Sequence, residues 1–178
     1  MNFDYAKTYT GKGKILIIIL GILINIFGLF SYYDSHWKKI NENNWNDLSE
    51  WDREGRDVPS ITTEKYFVFM IIACFILSLF SLGVSMLIDM TRGRKKLVDL
   101  GYHGLSALLL LIAGVLYISS AHRIGQLNLY WKDKSYMKLW LPIKIFAGVL
   151  AGIQAVTYGV VAVLIFIGGT RHPVRVQA

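Results

Sequence analysis

Four apolar runs, Ile15–Tyr32, Tyr66–Ile88, Gly104–Ser120 and Ile143–Ile167, alternate with charged segments along this chain. A helix needs roughly 20 apolar residues to cross a hydrocarbon core, and each run is close to that length. The solvent is thereby decided before any motif is considered. A soluble helix carries a polar stripe, whereas Ile15–Ile24 is apolar on every face. The expected fold is an all-α membrane protein, a four-helix transmembrane bundle forming one domain over residues 15–169. Residues 1–14 are expected to be an N-terminal arm, 33–65 a long outer loop and 170–178 a tail.

Composition agrees. Apolar residues make up 54% of the chain and charged residues 17%, below the roughly 25% charged of soluble domains. The first run is expected to stay in place and not to be cleaved as a signal peptide. Its apolar core is longer than the usual 7–15 residues or so, and Ser31–Asp34 offers no small-x-small cleavage site. The Met-Asn start and the Arg175–Ala178 end match no myristoylation or prenylation signal. The single cysteine, Cys74, lies inside the second run, so no disulfide can staple the outer loops within the chain. That count sets aside claudins, tetraspanins, connexins and innexins, whose outer loops are cysteine-bridged. No Asn-x-Ser/Thr sequon occurs either.

Orientation follows from Lys and Arg, which favour the cytoplasmic side of short loops. The basic residues divide evenly between the two sides, but their density does not. Arg92, Arg94, Lys95 and Lys96 crowd the tight segment between the second and third runs, with Lys7, Lys12 and Lys14 in the arm and Arg171 and Arg175 in the tail. Residues 33–65 are long, and their net sign is negative. Both termini are therefore placed in the cytoplasm. Arg92, Arg94, Lys95 and Lys96 are then candidate contacts for anionic lipid, at about 1 kcal/mol each. That accounts for the +7 net charge without invoking nucleic acid.

Small residues concentrate in the fourth run. Ala147, Ala151 and Ala155 recur every four positions, and Gly148, Gly152 and Gly159 run beside them. Such stripes let helix backbones approach closely in lipid, either within one bundle, the preferred reading, or against another subunit. Gly21 and Gly28 in the first run are candidates to receive the stripe. Polar groups at membrane depth are candidate sites by default. Asn25 and Gln154 read best as hydrogen-bonding glue between helices, and Lys144 as a residue that snorkels to the outer headgroups. Asp99 and His103 stand four apart, on one helical face; an interfacial pair that sets helix depth is preferred over proton transfer. No grouping suited to catalysis, metal binding or phosphate binding emerges, so neither enzyme activity nor a cofactor is expected.

The outer loop holds Trp37, Trp45 and Trp51. Trp37 is close enough to the first run to anchor at the interface. Trp45 and Trp51 lie in an Asn/Asp/Glu-rich stretch and are candidates either for a small outer fold or for contact with a partner protein. Tyr130, Trp131, Tyr136 and Trp140 read as an aromatic belt at the outer headgroups.

The stretch Val98–Tyr117 places Asp99 a turn before the Tyr102–His103 pair and Ala113 midway along a small-residue helix. The fourth run adds Lys144–Gly152, then Tyr158 and Ala162. Together these segments, about half of the chain, resemble the MARVEL domain of four-span proteins. The lack of loop cysteines departs from synaptophysin-type members, and the long first loop departs from the smallest ones. The closest likeness is to cysteine-poor invertebrate tetraspans of septate junctions and of myoblast fusion. The resemblance implies non-enzymatic work in cell-junction assembly, membrane apposition or fusion, or vesicle trafficking. The expected location is the plasma membrane, its junctions and its supplying vesicles. The expected partners are lipid, other membrane proteins reached through the first outer loop and the fourth span, and a second copy of the chain. The alternative is a small transporter or channel subunit using Asn25, Lys144 or Gln154.

Overall fold

The computed structural model describes residues 3–43, 59–87, 93–126 and 138–168. A short 3₁₀ turn, Phe3–Lys7, leads into α1 (Tyr9–Tyr33), and a small helix α2 (His36–Asn43) follows. Three long helices complete the chain: α3 (Ile61–Leu87), α4 (Gly93–Gln126) and α5 (Leu141–Phe166). Among the described residues 92% are helical and none lies in a strand. Four of the helices, α1, α3, α4 and α5, are long and apolar enough to cross a membrane.

Local chemistry sets the ends. Thr8 caps α1, its Oγ1 accepting the Gly11 N–H at 3.0 Å. Gly11 itself is obligatory, because a Cβ there would collide with the Tyr5 carbonyl as the arm folds back. Ser35 Oγ accepts the Trp37 N–H at 3.2 Å and opens α2; Ser60 does the same for Thr62 at 3.2 Å before α3. Trp140 precedes α5 in the left-handed conformation (φ 53°), with Pro142 in the first turn, where its missing N–H costs nothing. Gly168 closes α5 at φ +78°.

The four long helices form a ring. α1 packs beside α3, α3 beside α4, α4 beside α5, and α5 beside α1, so α1/α4 and α3/α5 face each other across the two diagonals. The α4/α5 interface is the most extensive and the closest. A Cβ on Gly114 would lie 2.9 Å from the Gly148 carbonyl, and one on Gly148 would lie 3.0 Å from the Gly114 carbonyl. Outward faces carry large apolar side chains such as Ile19, Phe69, Phe80, Val115 and Val156, while Lys14, Glu64, Asp99, His103, Lys144 and Gln154 are buried. Polar inside and apolar outside is the arrangement lipid demands, and the chain is an integral membrane protein.

Several sequence expectations change. The third span belongs to a helix of 34 residues that begins at Gly93, not Gly104, so Arg94, Lys95 and Lys96 sit on its first turn and not in a loop. α1 starts within the segment read as an arm, at Tyr9, and takes Lys14 into the bundle. Trp37 is fully buried rather than anchored at an interface. Gly28 meets Phe67 and Ile71 of α3, and Gly21 meets Phe75 and Gln154. The small-residue stripe of α5 is thus received chiefly by Gly114 of α4 and not by α1.

Candidate functional site

Two buried ion pairs organise the interior, one on each diagonal and one at each end. At the inner end, the end assigned to the cytoplasm, Lys14 of α1 reaches across to Asp99 of α4. Its Nζ donates to Asp99 Oδ1 and Oδ2 at 2.9 and 2.8 Å, to Ser85 Oγ at 2.8 Å and to Ser81 Oγ at 3.0 Å. Ser81 also donates to Asp99 Oδ1 at 3.1 Å. An ammonium has three N–H groups, and here each one finds oxygen. His103 lies one turn along α4, its Nδ1 2.7 Å from the Asp99 carbonyl and 3.3 Å from Asp99 Oδ1. Over this cluster folds the N-terminal turn, with the Tyr5 ring 5.7 Å from Lys14 Nζ. Burial pushes the Tyr5 phenol up to about 12.

At the outer end the opposite diagonal is bridged. Lys144 of α5 donates to Glu64 Oε1 of α3 at 2.5 Å, and both residues are wholly buried. Lys144 Nζ also stands 5.9 Å from the centre of the Tyr117 ring, which stacks on Phe67 at 4.0 Å. The Tyr117 hydroxyl is tied to Ser31 Oγ at 2.8 Å. Lys144 therefore does not snorkel to the headgroups. Its charge points inward because a carboxylate waits there, and Glu64 is drawn out of the acidic outer loop for the same reason.

Between the pairs the polar groups are paired locally. Ser78, Tyr102 and Tyr158 bring three hydroxyls together, and Ser78 and Tyr158 donate to the Cys74 carbonyl at 2.6 and 3.0 Å. Gln154 donates to the Ile17 carbonyl at 2.9 Å, and Asn25 to the Gly21 and Ile71 carbonyls at 2.8 and 3.3 Å. Both behave as the inter-helix glue expected of them. From Ser106 to Tyr117 on α4, roughly 16 Å of helix, the interior is lined by Phe67, Met70, Ile71, Leu110, Ala113, Ala147 and Ala151. That apolar layer separates the inner network from the outer one.

The expected residues are thus distributed among several settings. Asp99, Tyr102 and His103 enter the inner network, and Ala113 the apolar layer. Ala147, Gly148, Ala151 and Ala155 are buried inside the bundle. Gly152 and Gly159 are half-buried at the edge of the packed face of α5, where an added Cβ would find nothing within 4 Å. Arg94 and Lys95 are exposed, and Lys96 donates to the Phe166 carbonyl at 3.0 Å, closing the end of α5. Trp45, Trp51 and Arg92 lie outside the described residues, as do Tyr130, Trp131 and Tyr136. Trp140 donates its indole N–H to Asp34 Oδ2 at 2.9 Å and packs on Phe30. With His36 and Lys138, which exchange backbone and ring hydrogen bonds at 3.1 and 3.0 Å, it fastens the α1/α2 corner to the start of α5.

Sequence reasoning missed Lys14 and Glu64. The available signal was Lys144, a charge inside a span with no opposite charge on its own helix. Among the described residues no group of His, Cys, Asp and Glu could hold a metal ion. Comparison with protein-family models, curated proteins and solved structures finds no match for this chain.

Proposed function

We propose that this chain is a non-enzymatic membrane-organising tetraspan, acting in cell-junction assembly, membrane apposition or fusion, or vesicle trafficking at the plasma membrane. The observation that carries the reading is the closed interior. Its charges and hydroxyls are engaged mainly with one another, and an apolar layer parts the two networks. A bundle so arranged suits a rigid platform better than a conduit. The MARVEL-like stretch around Asp99, Tyr102 and His103 supports the same class of work.

The platform acts through its surfaces. Gly152 and Gly159 leave an open small-residue track on α5 for another subunit, either a second copy or another membrane protein. The first outer loop, with Trp45 and Trp51, meets a partner in the same or an opposing membrane. Arg92, Arg94, Lys95 and Lys96 hold anionic lipid at the inner face. Gly152→Leu with Gly159→Leu tests the reading, because neither substitution enters the bundle. Reduced oligomer size on native gels and loss of a junctional or vesicular pattern on immunolocalisation are expected. Unchanged assembly together with a diffuse wild-type distribution would discard it.

A further inference from the structure

The strap between the α1/α2 corner and the start of α5 pairs two tripeptides in antiparallel order. Asp34 Oδ2 accepts the Trp140 indole N–H at 2.9 Å, Ser35 Oγ donates to the Leu139 carbonyl at 3.4 Å, and the His36 N–H donates to the Lys138 carbonyl at 3.1 Å. A strand pair would return the last bond from the Lys138 N–H to a backbone carbonyl. Here His36 already opens α2, and its ring takes over, Nδ1 accepting the Lys138 N–H at 3.0 Å. The segment so held is under strain. Trp140 stands at φ 53° and its own side chain does not cap α5; a non-glycine residue keeps such a conformation only where its surroundings impose it.

A backbone N–H can only donate, so Nδ1 must carry no proton. The bond therefore fixes both the tautomer, with hydrogen on Nε2, and the charge of the ring, which is neutral. Protonation would set an N–H against an N–H. Histidine is the side chain whose charge changes between about pH 5 and 8, and His36 is half-buried at the outer end, within reach of the aqueous phase. Charged groups on the segments that meet here, among the described residues, act in both directions. Asp34 of α1 favours a protonated ring but is engaged by Trp140. Lys38 of α2, over the rings of Tyr32 and Tyr33, and Lys138 itself oppose one, while Glu64 of α3 and Lys144 of α5 neutralise each other inside the bundle. We propose that the Asp34–His36 corner and the Lys138–Trp140 segment form a pH-sensitive latch, closed while His36 is neutral and opened when its ring is protonated. The ring takes a proton from the outer water onto Nδ1, the bond from the Lys138 N–H breaks, and Trp140 is free to leave the left-handed conformation. The first turn of α5 loosens as a result. The inference goes beyond the membrane-organising role and does not depend on it.

Amide hydrogen exchange of the full chain in lipid nanodiscs, corrected for the intrinsic effect of pH, tests the latch at the Lys138 N–H. In wild type, protection is expected at about pH 8 and its loss by about pH 5. His36→Asn offers a side-chain oxygen in place of Nδ1, an acceptor that does not titrate, and is expected to stay protected at both. His36→Ala is expected to be unprotected at both. Equal protection of wild type at the two pH values overturns the proposal. So does an equal acid loss in His36→Asn, which would mark a general effect of acid on the bundle. Should His36→Asn be unprotected at both, the nitrogen NMR signals of the wild-type His36 ring decide. An unprotonated Nδ1 that titrates together with the opening of Lys138 upholds the latch; a protonated Nδ1 at about pH 8, or a different midpoint, rejects it.

Discussion

At the scale of single residues, a charge buried without its partner is worse than no charge at all. Removing one member of a buried pair costs about 3–5 kcal/mol, while replacing both with apolar groups of similar size is often close to neutral. Lys14→Met alone should therefore destabilise the bundle by roughly that amount, by leaving Asp99 with only Ser81 and His103. Lys14→Met with Asp99→Leu should recover most of the loss. Denaturant unfolding in detergent measures both, and a double variant as unstable as the single one would show that the serines and His103 carry the energy. Part of this site was legible in the sequence. Asp99 and His103 share a helical face by spacing alone, and Asn25 and Gln154 announce themselves by polarity at depth. Lys14 and Glu64 did not, because a charge at the edge of an apolar run reads as headgroup or water. Only the ring order of the helices brings α1 against α4 and α3 against α5 across the interior.

At the scale of elements, glycines that look alike in the chain divide by what faces them. Gly114 and Gly148 bring α4 and α5 into backbone contact, whereas Gly101 and Gly104 on the same α4 have nothing within 4 Å of an added Cβ. Gly114→Ala is expected to lower the melting temperature by forcing the two helices apart. Gly101→Ala with Gly104→Ala should hold or raise it, since each helical Gly→Ala change gains about 0.5–1 kcal/mol where nothing is in the way. Thermal melts monitored by helix signal separate the two cases; equal losses would mean the outward glycines are covered by a neighbour. The spans are legible as elements because hydropathy reports the solvent. Their ends are not, since the basic first turn of α4 and the amphipathic α2 carry polarity that hydropathy assigns to loops. Helix propensity and packing, here Lys96 against the end of α5, keep those turns wound.

At the scale of the whole molecule, the layer around Leu110, Ala113 and Ala151 should seal the bundle. Native Cys74 is buried between α3 and its neighbours and is expected to stay unmodified by membrane-impermeant maleimide applied from either side. Cysteines introduced at Leu110 or Ala113 should behave likewise. Rapid labelling at any of these depths would favour the transporter reading over the platform. The diagonal pairing also imposes an order on biosynthesis. Lys14 is separated from Asp99 by 85 positions and Glu64 from Lys144 by 80. At about 5–20 residues per second, a nascent chain waits roughly 4–17 s between exposing each charge and making its counterpart. Until the counterpart arrives, each charge has to be held by headgroups or water at the end of its helix instead of inside the bundle. A chain truncated after Leu87 should therefore be retained by the insertion machinery and degraded, because its first helices reach their packed places only when later ones arrive to claim them.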